Sequence, residues 1–312
     1  METLSDRKYD MVVITGPTAS GKTSLAAAVA SRTGGEIISA DSRQVYRRMD
    51  LGTGKDYDDY VVNGVRIPCH LIDVAEPGHK YNLFEFQRDF TEACSDLKKR
   101  SVFPVVCGGS GMYVDCIVSG YSLREVPPDP VLREKLAGKS LEELATMLRS
   151  YKRLHNTTDI DTKKRAIRAI EIERYQLKAE GRMTTIPGFR PLIAGILYDR
   201  QKRRERITER LRQRLDAGLA DEVQGLLDNG LKPEDLIYYG LEYKYVTLYL
   251  TGKLKFDEMF RSLEIAIHQY AKRQMTWFRG MERRGIKINW IGGELPFEEK
   301  AEYILRLLAG NE

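Results

Sequence analysis

An α/β architecture, a mostly parallel sheet flanked by helices, is predicted for this chain by three observations. Apolar β-rich runs alternate with helix-forming segments through residues 11 to 120. The first such junction carries Gly16-Pro17-Thr18-Ala19-Ser20-Gly21-Lys22-Thr23, which fits G-x-x-x-x-G-K-[ST] between a strand and a helix and makes the expected fold P-loop NTPase-like. After Pro127-Pro128 the character changes to long charged helical segments, read as an inserted helical subdomain. The expected organisation is residues 1–126 as the first part of the α/β core, 127–190 as the helical insertion, and 191–312 as the remainder of the core with C-terminal helices.

The elements follow in order. MVVIT (11–15) is a strand, and TSLAAAVASRTG has helix-forming composition that stops at Gly34-Gly35. EIISAD (36–41) reads as a strand before a short helix, HLIDV (70–74) as a strand before NLFEFQRDFTEACSDLKKR, and VFPVVCGG (102–109) as a strand before SGMYVDCIVSG. Strands alternating with helices imply right-handed crossovers and a sheet covered on both faces. Helical segments are expected at 129–151 and 162–180, after which LIAGILY (192–198) returns to the sheet. Helices at 201–229, 240–251 and 256–279, a last strand KINWI (287–291) and a terminal helix complete the chain, so the insertion lies between the fourth and later strands.

Composition bounds the function. The 312 residues are 42% hydrophobic with a mean hydropathy of -0.42, ordinary for a soluble globular protein. No run of eighteen apolar residues occurs, and METLSDRKYD lacks the apolar segment of a signal peptide, so a cytoplasmic protein without membrane contact is expected. Cys69, Cys94, Cys107 and Cys116 form no CxxC pair, which argues against a zinc site or a disulfide framework and for reduced, buried thiols. The net charge is only +5, yet residues 163–214 hold sixteen Lys and Arg against six Asp and Glu. Such runs are ordinarily solvated helix faces, so nucleic-acid binding does not follow from the run alone.

The loop Gly16–Thr23 brings backbone N–H groups and a helix N-terminus onto phosphate oxygens, with Lys22 as a point charge and Thr23 offering a hydroxyl to Mg²⁺. A triphosphatase would carry an acid at the end of a later apolar strand, but VVC (105–107) runs into Gly108-Gly109-Ser110-Gly111. Asp41 ends a different strand, where ligands of parallel sheets bind, although a helix N-cap is its alternative role.

Taken together, GPTASGKT (16–23), DSRQVYRRMDLGTGK (41–55), HLIDV-x-x-P (70–77), GGSGMY (108–113), KKRAIRAIEI (163–172), RERITERL (204–211) with GLADEV (218–223), and AKRQMTWFRG (271–280) resemble the tRNA dimethylallyltransferase family of bacterial type, also called tRNA isopentenyltransferases or IPP transferases. The resemblance implies transfer of a dimethylallyl group from dimethylallyl diphosphate to the N6 amine of the tRNA adenosine 3′-adjacent to the anticodon, which is flipped into a tunnel, with Mg²⁺ as cofactor and diphosphate as leaving group. It implies that Asp41 is the general base, that Asp41, Ser42, Arg43 and Gln44 contact tRNA, and that Ser110, in place of the usual Thr, lies near both substrates. Lys22 and Arg210 would take the diphosphate charge. Arg133 and the stretch Lys164, Arg165, Ala166, Ile167 and Arg168 match tRNA-contacting positions. The expected partner is the anticodon stem-loop of tRNA, with the enzyme acting as a monomer. The sequence departs from the pattern at Glu242-Tyr243-Lys244, where Gly-Tyr-[Lys/Arg] is usual, at GTGK (52–55) in place of GTAK, and in LHNTTDIDTKK before the basic helix.

An exocyclic adenine amine is a weak nucleophile, so it needs a base on one side and charge stabilisation of the departing diphosphate on the other. A base stacked in an anticodon loop must also be extruded, for which Lys272 and Arg273 offer phosphate contacts and Tyr46 or Trp277 could stack. Core packing is the alternative for Trp277, Phe278 and Tyr113, and a structural role for His70. Three other functions fit parts of the pattern. They are prenyl transfer to free adenine nucleotides, a small-molecule P-loop kinase with Asp41 as base, and a non-catalytic RNA-binding protein.

Overall fold

The computed structural model describes residues 8–153, 158–178 and 183–310, so the N-terminal residues 1–7 and part of LHNTTDIDTKK lie outside the described residues. The chain divides into two compact units, one formed by residues up to Tyr121 and from Ile186 onward, the other by Ser122–Thr185.

The larger unit contains β1 (Met11–Thr15), α1 (Lys22–Thr33), β2 (Glu36–Ser39), β3 (Val61–Val62), β4 (Val65–Arg66), β5 (Cys69–His70), α2 (Leu83–Lys99), β6 (Pro104–Gly108) and α3 (Gly111–Ser119). The smaller contains β7 (Ser122–Arg124), α4 (Pro130–Ala137), α5 (Leu141–Tyr151), α6 (Lys163–Leu177) and β8 (Met183–Thr185). The larger unit resumes with β9 (Pro191–Leu197), α7 (Arg200–Asp216), α8 (Leu219–Asp228), α9 (Pro233–Leu236), α10 (Leu241–Leu250), α11 (Phe256–Arg283), β10 (Asn289–Gly292) and α12 (Phe297–Leu308).

Six strands form one parallel sheet in the order β10-β9-β1-β6-β2-β5. Its central strands β1 and β6 are buried along their whole length, as continuous apolar runs covered on both faces should be. Val12, Ile14, Val105 and Ile196 pack with Leu25 and Val29 of α1 and Ile304 of α12 in the main core. The smaller unit, Ser122–Thr185, follows the fourth strand of this sheet along the chain, where the sequence reading set an insertion at 127–190.

Several local expectations give way to nonlocal contacts. No helix follows β2: residues 42–45 are turns, and Tyr46 bridges in parallel to Ala75 instead. HLIDV is strand only at His70, because Leu71 and Asp73 adopt positive φ. The expected helix at 129–151 breaks at Gly138, where Ser140 starts a new capping box with Glu143. The hairpin β3–β4 around Asn63-Gly64, a turn that favours positive φ, was not anticipated.

In the smaller unit Leu132, Leu136, Leu144, Leu148 and Ile170 form the core, and β7 pairs antiparallel with β8. The buried Glu171 carboxylate accepts from the Asp129 N–H at 2.5 Å, from Arg133 Nε and Nη2 at 2.9 Å each, and from Arg168. Burial alone would raise its pKa, but these bonds prevail and hold it below the ordinary carboxylate range.

Candidate active site

Within the larger unit a cavity of about 820 Å³ is bounded by the P-loop, the turn after β2, the loop at 51–54, one face of α7, and α11. The carboxyl ends of β1, β2 and β6 deliver the first of these, which is where ligands of open parallel sheets are held.

The P-loop is anchored from two sides. Gln274 of α11 accepts the Thr18 N–H through Oε1 at 2.9 Å and donates Nε2 to the Gly109 carbonyl at 2.7 Å. At Gly109 the two glycine-rich loops lie so close that a Cβ would stand 2.7 Å from Gln274 Nε2 and 3.0 Å from the Gly16 carbonyl oxygen. Arg206 of α7 donates Nε to the Ala19 carbonyl at 2.9 Å while its guanidinium lies over the Tyr198 ring. The Ser20 hydroxyl is buried without a hydrogen-bond partner. Burial lowers the Lys22 pKa, the Asp41 charge raises it, and Arg210 and Arg214 lower it further. Lys22, Asp41 and both arginines therefore sense one another around one space. The Thr23 hydroxyl contacts the Cys107 thiol, whose burial pushes its pKa up to about 11.

Asp41 follows β2 and is half-buried. Its Oδ1 accepts the Arg43 N–H at 2.9 Å, an Asx-type turn that sets the carboxylate's direction without a helix. Ser110, at the N-cap of α3, accepts the Ser42 N–H at 3.0 Å and bonds the Tyr270 hydroxyl. Arg43 stands over the Tyr238 ring at 5.3 Å.

The facing wall is cationic. Arg206, Arg210 and Arg214 recur at four-residue spacing on α7 and all line the cavity. Arg210 pairs with Asp56. The adjoining loop is held from behind by Glu222 of α8, whose carboxylate accepts the N–H groups of Asp50, Leu51 and Gly52 at 2.9, 2.7 and 3.1 Å and the Tyr243 hydroxyl at 2.6 Å. Lys55 adds a buried ammonium that donates to the Tyr46 carbonyl at 2.6 Å, to Asp50 at 2.8 Å and to Asp73.

The structure thus brings together Thr18 to Thr23 of the P-loop, Asp41, Ser42, Arg43 and Arg210, with Gly16 and Pro17 buried behind them and Ser110 behind Ser42. Other expectations change. Gln44 lines the cavity too, yet it is largely buried, its amide donating to the Gly54 carbonyl at 2.9 Å and its oxygen accepting from Ser39, so it also shapes the loop. Ala166 is wholly buried, so its side chain presents no surface to RNA, and Ile167 is partly buried against the same core. Arg133 and Arg168 hold Glu171 while keeping 44% and 39% of their side chains exposed, and Lys164 and Arg165 are exposed. Tyr46 is fully buried against Tyr239 and cannot stack on a base. Tyr113 stacks on Phe86, Phe278 is core, Trp277 is partly exposed, and His70 bonds Glu36 at 2.7 Å. Arg206, Arg214, Glu222 and Gln274 had no assigned role, although the four-residue arginine spacing pointed to the first two.

Among the described residues no group of three or more His, Cys, Asp and Glu side chains is arranged to hold a metal ion, and no helix is long and apolar enough to cross a membrane. A model of the IPP transferase family matches residues 44–281, and one of the isopentenyl transferase family matches residues 9–72. The chain is similar to tRNA dimethylallyltransferase 2 of Phocaeicola vulgatus, 60% identical over 301 residues that cover 96% of this chain and 98% of that one. With tRNA dimethylallyltransferase 1 of Parabacteroides distasonis it shares 58% identity over 97% of this chain and 98% of that one. Its fold is similar to the crystal structure of the full-length tRNA isopentenylpyrophosphate transferase from Bacillus halodurans, with a TM-score of 0.70 at 29% identity, covering 97% and 96% of the two chains. A eukaryotic dimethylallyltransferase acting on tRNA shares the fold with a TM-score of 0.78 at 19% identity, over 97% of this chain and 80% of that one.

Proposed function

The chain belongs to the IPP transferase family, and from that premise we propose that it transfers the dimethylallyl group of dimethylallyl diphosphate to the N6 amine of the tRNA adenosine 3′-adjacent to the anticodon. The observation that carries this reading is a single cavity shared by a phosphate-binding loop and a carboxylate, with an arginine-lined wall opposite.

In the reaction the bond between C1 of the allyl group and the diphosphate oxygen breaks and its electron pair leaves with diphosphate. The bond from N6 to C1 forms, and the amine proton passes to Asp41. Lys22, Arg210 and the P-loop amides take up the charge growing on the leaving group, a preorganised arrangement that costs no rearrangement as the bond breaks. The Arg43 N–H fixes Asp41 through Oδ1, so the carboxylate is aimed before substrate arrives. Ser110 acts through Ser42 and Tyr270, holding the turn that carries Asp41.

The donor set suits Mg²⁺, which takes hard oxygens from a few side chains together with phosphate. The Thr23 hydroxyl and the carboxylates of Asp41 and Asp59 line the cavity, and Ser20 adds a buried hydroxyl without a partner. Thr23 and the diphosphate oxygens would hold the ion, which when bound neutralises charge on the leaving group.

The adenosine must be extruded from its loop, and exposed Lys164 and Arg165 with Lys272 and Arg273 supply phosphate contacts towards that cost. The anticodon stem-loop of tRNA is the proposed partner, the cytoplasm the proposed location and a monomer the proposed state.

Mass spectrometry of nucleosides from an anticodon stem-loop incubated with dimethylallyl diphosphate and Mg²⁺ tests the proposal. A prenylated adenosine beside the anticodon is expected. Prenylation of AMP with none of the stem-loop, or ATP turnover on a small acceptor, would replace this reading with a free-nucleotide transferase or a kinase.

A further inference from the structure

Two of the departures from the family pattern, Gly54 in GTGK and Glu242 before Tyr243, meet at one side chain that the reading above leaves without a role. Arg214 is nearly buried, with 12% of its side chain exposed, and lines the same cavity as the P-loop. A Cβ on Gly54, whose φ is +74°, would stand 2.0 Å from Arg214 Nη2 and 2.9 Å from Arg210 Nη2, so the Arg214 guanidinium above all occupies space that an alanine there would fill.

The partners around it are incomplete. Glu242 Oε1 lies 3.9 Å from Nη1 and Asp56 Oδ2 lies 3.8 Å from Nη2, distances of charge attraction without a hydrogen bond. Nε and Nη2 are buried with no hydrogen-bond partner. Asp56 is shared with Arg210, so one carboxylate faces two guanidinium groups. Buried donors of this kind are ordinarily satisfied, and a planar guanidinium matches phosphate oxygens in pairs.

Resting on the prenyl-transfer reading, we infer that Arg214 is a further diphosphate-binding residue, admitted to the cavity by Gly54 and steered by Glu242, its guanidinium adding a third cationic group to the wall that receives the diphosphate. Mutual repulsion of Lys22, Arg210 and Arg214 is relieved when that anion enters. Gly54, Arg214 and Glu242 then act as one device that strengthens the grip on the small substrate and not on RNA.

Calorimetric titration of the RNA-free enzyme with inorganic pyrophosphate reads this directly. Arg214→Met, which keeps side-chain bulk without charge, is expected to weaken pyrophosphate about tenfold or more, the worth of a charge-assisted hydrogen bond. The KM for dimethylallyl diphosphate should rise in step, the KM for the stem-loop should stay within about twofold, and Arg214→Lys should recover part of the loss. Gly54→Ala should weaken pyrophosphate more in the native background than in Arg214→Met, a cycle that separates displacement of the Arg214 guanidinium from backbone strain and from the contact with Arg210, which both backgrounds share. Pyrophosphate affinity within about twofold of native for a folded Arg214→Met enzyme that still prenylates RNA overturns the inference. Equal losses from Gly54→Ala in both backgrounds overturn the role given to Gly54. Failure of the native enzyme to prenylate any stem-loop would instead strike the underlying function while leaving pyrophosphate binding to be read.

Discussion

Asp41 and Lys22 line one cavity, and the Asp41 charge favours the Lys22 ammonium against the cost of its burial. Asp41→Asn keeps the turn to the Arg43 N–H but removes the proton acceptor, so the single-turnover rate should fall by ~10²–10⁴-fold while the stem-loop dissociation constant stays nearly constant. Equal losses in rate and RNA affinity would deny Asp41 the role of base. Glu222 works at a distance, through three backbone N–H groups of the loop and the Tyr243 hydroxyl. Glu222→Ala should cost about 1–3 kcal/mol of stability in urea unfolding, because those buried donors lose their acceptor. Lys22, Asp41 and Arg210 were legible because their motifs are contiguous. The settings of Gln44 and Ala166 were not legible, because what fixes them, the Gly54 carbonyl in one case and Leu132 with Leu136 in the other, is brought near only by folding.

At the scale of elements, the edge of the sheet carries a pH-sensitive clasp. Glu36 of β2 accepts from Arg100 after α2 at 2.6 and 2.8 Å and bonds His70 of β5, and the Arg100 bonds depress its pKa from 4.5 to about 2. Because the folded value lies below the unfolded one, this stabilisation is complete above pH ~4.5 and disappears as the pH falls through ~2. The stability gap between native protein and Glu36→Gln should therefore be full at pH 6 and close on acidification, read by urea midpoints across that range. In the insertion, Arg133→Ala removes one clamp from the buried Glu171 and should destabilise that unit by about 1–3 kcal/mol. Lys164→Ala should leave stability unchanged and lower the salt slope of RNA binding by about 0.7–0.9. A stability loss confined to Lys164→Ala would reverse these two assignments. Helix positions were readable from periodicity and caps, but the residues after β2 form no helix because Tyr46 is drawn to bridge Ala75.

For the whole molecule, the parallel sheet followed from the alternation of apolar runs with helix-forming segments, since that is a pattern along the chain. The cavity wall was less legible: Arg206, Arg210 and Arg214 share a face by helical geometry, yet only docking of α7 shows that the face is turned inward. The same holds for Gln274, in a motif whose sequence neighbours are cations. A single amide there closes the P-loop at Thr18 and the glycine turn at Gly109, which lie far apart in the chain. The two loops consequently share one latch: a substitution that removes the Gln274 amide unfastens the Thr18 N–H and the Gly109 carbonyl at a stroke, so damage in α11 is felt by both loops together.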